Sequence, residues 1–229
     1  MRAGAFHGGA RALGASLAAA LALAAAPAEG EPTGRIEGSV SLAVEGVPLA
    51  GLLPIVVYVQ PERAEGEPVP APAKAEIRQQ NAHFTPEFSV VTRGQNITMP
   101  NDDDIDHNVY SASENNRFDL GIYEAGQVRS VKLQHPGQVD IHCSIHESMN
   151  ATVFVSPTPW YARVAADGRF AIDGLEPSRY RLRTWSKRLP RAEMFLRVRP
   201  GEAVPAHVVI GAPTASDSGA ARSASPGGR

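Results

Sequence analysis

The chain has 229 residues, a formal net charge of −2 and only 6% aromatic residues. Without a basic stripe it does not read as a nucleic-acid binder. A lone cysteine excludes an internal disulfide, so that thiol is free, paired between chains or bound to a metal.

Arg2 and Arg11 precede an alanine-rich apolar run from Leu13 to Ala26, and Ala26-Pro27-Ala28 supplies small residues at a cleavage site. The run is about 14 residues long, short of the roughly 20 that a membrane-spanning helix needs. Residues 1–28 are therefore expected to be an export signal cleaved near Ala28, placing the mature protein in the periplasm or outside the cell. An uncleaved interfacial N-terminus is the alternative. No membrane span is expected in the mature chain. Roughly 200 residues remain, enough for one large or two small domains.

Downstream the sequence reads as short strands. "GRIEGSVSLAV" alternates Ile36, Gly38, Val40, Leu42 and Val44 at period two, and "PIVVYVQP" is a β-branched run. Residues 61–73, rich in Pro, Glu and Ala, predict a linker. "KAEIRQQ", "EFSVV", "NITM", "HNVYSA", "QVRSVKLQ", "QVDIHC" and "ATVFV" follow, with Gly94, Gly121, Gly126 and Pro136-Gly137 placed at the turns. After Pro157 and Pro159 come "YARVA", "GRFAI", "RYRLRTW", "MFLRVR" and "AHVVI", and residues 212–229 predict a disordered tail. No helical stripe follows the signal. Many short strands at regular spacing predict an all-β sandwich or barrel.

The chemistry gathers in "DIHCSIHESM". Cys143, His146 and Met149 stand at i, i+3 and i+6, so one tight loop can turn them towards a point. Calcium and magnesium want oxygen ligands, and a methionine argues against structural zinc. One thiolate, two imidazoles and a distant thioether are the donor set of an electron-transferring copper site. Alternation puts Val139, Ile141 and Cys143 on one face and turns His142 away. The second imidazole must come from elsewhere, and His107, opening a strand-like run after an acidic turn, is the candidate. His83, His135, His142 and His207 lack such support and are expected to be structural or solvated. Met149 could instead fill a core gap. A catalytic Cys–His pair is the rival use of the thiol, but no triad order or oxyanion loop accompanies it.

"DHNVYS", a Pro-Gly turn and "CSIHESM" in that order resemble the cupredoxin family, which includes plastocyanin and amicyanin. The Cys-x-x-His-x-x-Met spacing is most similar to amicyanin. The likeness covers about residues 73–156, with "FTPEFSVVTRGQNITMPNDD" matching the strand-turn-strand before the first His. It implies a Greek-key sandwich holding one type 1 copper on His107, Cys143, His146 and Met149. Asn108 then resembles the family's Asn that ties the two ligand loops together, although simple turn capping fits it equally. Asp102, Asp103, Asp104 and Asp106 read as a solvated turn, with docking of a basic partner as the other reading.

"ADGRFAIDGLEPSRYRLRTW" resembles the carboxypeptidase regulatory-like, or transthyretin-like, β-sandwich, although Ser178-Arg179 stands where that family usually has Pro-Gly. "EGSVSLAVEGVPLAGLLPIVVYV" resembles the start of the same sandwich, about a hundred residues early. The resemblance implies that residues 35–62 and 157–211 form one discontinuous sandwich into which residues 73–156 are inserted. The alternative is that 35–62 belong to the cupredoxin sheet and the second sandwich follows it. Trp160, Tyr161 and Trp185 read as core packing before a carbohydrate platform. The whole resembles exported plastocyanin-like proteins labelled methylamine utilisation proteins, a label that does not establish a part for methylamine.

The expected function is an exported copper protein, not an enzyme, carrying single electrons between redox partner proteins such as a cytochrome or dehydrogenase. The alternative is an extracytoplasmic binding, adhesion or copper-storage sandwich without electron transfer.

Overall fold

The computed structural model describes residues 32–62 and 74–211. The expected export signal at 1–28, residues 63–73 of the linker expected at 61–73 and the tail at 212–229 lie outside the described residues, and Pro61 of that linker is instead the last residue of a strand. Within them the fold is all-β, interrupted only by 3-10 turns at Leu49–Leu52 and Glu114–Asn116. The first strands are β1 (Gly34–Leu42), β2 (Ile55–Pro61), β3 (Ala75–Glu76), β4 (Arg78–Gln80), β5 (His83–Thr85), β6 (Phe88–Thr92), β7 (Asn96–Pro100), β8 (His107–Ser111) and β9 (Phe118–Tyr123). They are followed by β10 (Val128–Lys132), β11 (Gly137–His142), β12 (Asn150–Ser156), β13 (Tyr161–Arg163), β14 (Arg169–Leu175), β15 (Ser178–Ser186), β16 (Glu193–Val198) and β17 (Ala203–Ile210). No helix among the described residues is long and apolar enough to cross a membrane.

Two apolar cores organise these strands. Sheets β14-β1-β17 and β13-β2-β15-β16 close over Ile36, Val57, Val59, Phe170, Tyr180 and Leu182, among others. Sheets β10-β7-β3 and β6-β12-β11-β8-β9 close over a second core containing Ile97, Met99, Val109, Tyr123, Ile141 and Val153. The two-stranded ribbon β4-β5 lends Phe84 to this second core. The strand β1 runs parallel to β17, so the beginning and the end of the described chain lie side by side. Gly38 allows that pairing, because a Cβ there would sit 1.6 Å from the Ala206 carbonyl oxygen.

The β2 run does not alternate because it is covered on both faces. Ile55, Val57 and Val59 enter the first core, while Val56 and Tyr58 face the other way into a seam with Phe154 of β12 and Trp185 of β15. Trp185 stacks on Phe154 at 4.7 Å between ring centroids and on Phe88 at 5.6 Å. Tyr161 donates a hydrogen bond to the Val90 carbonyl across the seam, and Lys187 bridges to Asp140 at 3.2 Å. Burial pushes the Asp140 carboxyl up, but hydrogen bonds from Gln138, Thr152 and Lys187 outweigh it and hold the carboxyl below its ordinary range.

Three local expectations are corrected. Val44 lies beyond the end of β1 and is 65% exposed. Gly121 is not at a turn but inside β9, at φ 69°, where the β8–β9 register shifts between Asn108 and Tyr110. The glycine supplies the left-handed backbone that this irregular pairing uses. Finally, β5 and β9 were absent from the predicted strands: the one has three residues and the other carries that glycine.

Candidate metal centre

Two connections of the second half, β7–β8 and β11–β12, carry the candidate donors. His107 opens β8 and is fully buried, lying opposite Tyr123 of β9. Cys143 follows β11 and is 4% exposed; Met149 precedes β12 and is fully buried in the same core. The strands β11 and β12 are antiparallel neighbours, so the loop 143–149 must turn back on itself. Two backbone bonds close it: the Cys143 amide donates to the Met149 carbonyl at 3.2 Å and the Met149 amide to the His146 carbonyl at 3.0 Å. His146 is thereby lifted to a half-buried position at the rim.

The long-range partner arrives as the sequence predicts. Cys143 Sγ lies 3.9 Å from His107 Nδ1 and 3.8 Å from His146 Nδ1, and the two Nδ1 atoms are 3.1 Å apart. The rings meet at 65°, edges inward, rather than stacked. A point equidistant from atoms with these separations lies about 2.1 Å from each, within the range of about 2.0–2.3 Å for metal–nitrogen and metal–sulfur bonds. Among the described residues this is the cluster of His, Cys and carboxylate groups close enough to share a metal ion. The donor set therefore fits a soft or borderline transition metal, and a hard ion poorly.

The remaining His107 nitrogen explains how the ring is held. Its Nε2 lies 2.8 Å from Asp103 Oδ2. A carboxylate accepts only, so the ring proton sits on Nε2 and the Nδ1 lone pair points at the thiol and at His146. Burial pushes the Asp103 carboxyl up, but the Ala82 amide, the His107 ring and the Asn81 amide outweigh it and hold it below its ordinary value. Buried Asn101 staples the same loop, donating to the carbonyls of Ile105 at 2.8 Å and Tyr123 at 3.2 Å while accepting from the Asp103 amide. Burial also pushes the Tyr123 phenol up to about 12; its hydroxyl donates to the Met99 carbonyl and accepts from Gln79.

His107, Cys143 and His146 are thus brought together, with Met149 buried in the core that contains Cys143. Asn108 is turned elsewhere: its amide donates to Asp119 Oδ1 at 2.7 Å, on β9 rather than on the loop 143–149. His142 faces Tyr110 at 5.7 Å between centroids; His207 sits between the hydroxyls of Ser39 and Ser41. Asp103 is the residue that reading the sequence missed. It was grouped with a solvated acidic turn, whereas only Asp102, Asp104 and Asp106 are exposed. The available signal was its place four residues before the candidate ligand.

No protein-family model matches the chain, and no curated protein matches it. Solved structures that it resembles include a purple cupredoxin from Nitrosopumilus maritimus, 22% identical, with 36% of this chain covering all of that one at a TM-score of 0.33. A copper-containing nitrite reductase from Thermus scotoductus is 18% identical over 42% of this chain and 25% of its own, at 0.35. A reduced Cu(I) form of an amicyanin variant is 19% identical over 44% of this chain and 98% of its own, at 0.34. At such identities and scores none of them assigns the chain to a family.

Proposed function

We propose that this protein holds one copper ion on His107, Cys143 and His146, with the Met149 thioether as a weak fourth donor, and carries single electrons between partner proteins. The observation behind this reading is the triangle of Sγ and two Nδ1 atoms, 3.1 to 3.9 Å on a side. Bound copper supplies a one-electron Cu(II)/Cu(I) couple there. The thiolate suits the reduced ion, and the imidazoles serve both states.

The protein's own part is to keep the donors still. His107 is fixed from behind by Asp103, and Cys143 by strand β11 and the backbone bonds of its loop. The apolar core around Cys143 and Met149 keeps water from those donors. Of these residues only the half-buried His146 reaches the rim, next in the chain to exposed Ile145, which makes it the group nearest a docked redox protein. We read the role as that of a carrier and not an enzyme; one such cluster is found among the described residues, which is the set a one-electron couple needs. We place it outside the cytoplasm, in keeping with the export signal read from residues 1–28, and treat residues 73–156 as a cupredoxin inserted in a carboxypeptidase regulatory-like sandwich.

The test is optical. Loading with Cu(II) should give an intense visible thiolate-to-copper absorption at one ion per chain, bleached and restored by one electron. Cys143→Ser should abolish the colour while the protein remains folded. A folded wild-type protein that stays colourless at full loading would refute the proposal.

A further inference from the structure

The ribbon β4-β5 stands apart from both sandwich cores' main sheets, and its turn has an unusual backbone. Asn81 and Ala82 are the non-glycine residues at positive φ among the described residues, at 54° and 53°. They form a two-residue loop between the paired Gln80 and His83, and positive φ at both positions makes it a type I′ turn. Asparagine tolerates that conformation; alanine does so against the clash of its Cβ.

Both amides of this turn are aimed at one carboxylate. Asn81 N–H donates to Asp103 Oδ1 at 2.5 Å and Ala82 N–H to Asp103 Oδ2 at 2.9 Å. Oδ2 is also the oxygen that accepts the ring proton of His107 at 2.8 Å. One residue away, Arg78 in β4 grips Asp102 through two nitrogens, at 2.5 and 3.0 Å. The ribbon is therefore clipped to the 101–107 loop at consecutive residues, and the clip ends on the back of a metal-binding ring. A turn selected only for closing a hairpin would favour glycine at position 82.

We infer that the Asn81–Ala82 turn is a positioning element: its paired amides hold Asp103 against His107 and so set the relative stability of the two oxidation states of bound copper. The inference rests on the copper reading above. A carboxylate accepting the ring proton makes Nδ1 a stronger donor, which favours the more highly charged ion. Neither Asn81 nor Ala82 touches the metal, so both act through Asp103.

The experiment compares three variants by reduction potential and by the NMR signal of the His107 Nε2–H. Asp103→Asn keeps the shape and removes the charge; we expect about a tenfold loss of Cu(II) over Cu(I) preference, a rise of about 59 mV for a one-electron couple. The paired change Asn81→Gly with Ala82→Asn favours a type II′ turn, which keeps the hairpin but flips the central peptide and withdraws the residue 82 amide. It should raise the potential by roughly half as much and speed exchange of the ring proton. Tyr161→Phe, which removes a hydrogen bond in the distant seam, should move neither readout. An unchanged potential in the turn variant, or a shift of opposite sign, overturns the inference. Failure of wild type to bind copper would sink the function instead. The ring-proton signal, read on metal-free protein, still decides the clip: exchange as fast in wild type as in Asp103→Asn overturns it.

Discussion

Replacing Trp185 with alanine tests whether the seam between the two cores joins them energetically. Trp185 is 6% exposed and is sandwiched between Phe154, at 4.7 Å and 18° between ring planes, and Phe88, at 5.6 Å and 3°. A buried tryptophan removes about 200 Å² from water, which at about 25 cal/mol per Å² is near 5 kcal/mol as an upper figure. Each stacked pair adds roughly 0.5–1.5 kcal/mol, and relaxation of the gap returns part of the total. A loss of about 3–5 kcal/mol results. It should be confined to the seam, because Cys143, around which His107 and His146 gather, belongs to the second core and not to Trp185's cluster. Urea unfolding of the copper-loaded protein, followed by visible absorption and by far-ultraviolet dichroism, reads both points. The wild type should lose the two signals together, and Trp185→Ala should lose dichroism first while keeping its colour. A loss below about 1 kcal/mol with coincident transitions would refute the idea that this stack couples the two halves.

Other substitutions probe separate links. Gly38→Ala drives a Cβ into the Ala206 carbonyl and should cost at least about 3 kcal/mol or prevent folding, seen as a collapse of the melting temperature. Ala82→Gly relieves a left-handed alanine and should gain about 0.5–1 kcal/mol in urea titration, less the small packing contribution of its methyl. Asp140 has a lowered folded-state pKa, so its contribution is present above its unfolded value near 3.9 and is lost as pH falls through the folded one. Acid unfolding should therefore steepen below about pH 4, and Asp140→Asn should flatten that part of the curve.

Much of the candidate site was legible because most of its residues are close in the chain. Cys143 and His146 stand three residues apart, and a loop between adjacent strands needs no distant information to gather them. His107 needed the order of motifs as well. Asp103 was not legible, since an aspartate in an acidic run normally faces water. What buries it is the turn at 81–82, some twenty residues upstream, and nothing in the local pattern announces that contact. The same limit applies to β2: its unbroken apolar run predicts a strand, but that both faces are covered depends on Phe154 and Trp185, about a hundred and more residues later. The strand β9 escaped because Gly121 reads as punctuation, whereas here it serves an irregular pairing.

The parallel pairing of β1 with β17 orders events during folding. Every strand around His107, Cys143 and His146 lies in one stretch of chain that ends at Ser156, whereas the other half closes only when Ile210 finds Leu42. Until β15 docks, Phe88, Val90 and Phe154 have no Trp185 to cover them, so a half-folded chain presents an aromatic flank that invites the wrong partner.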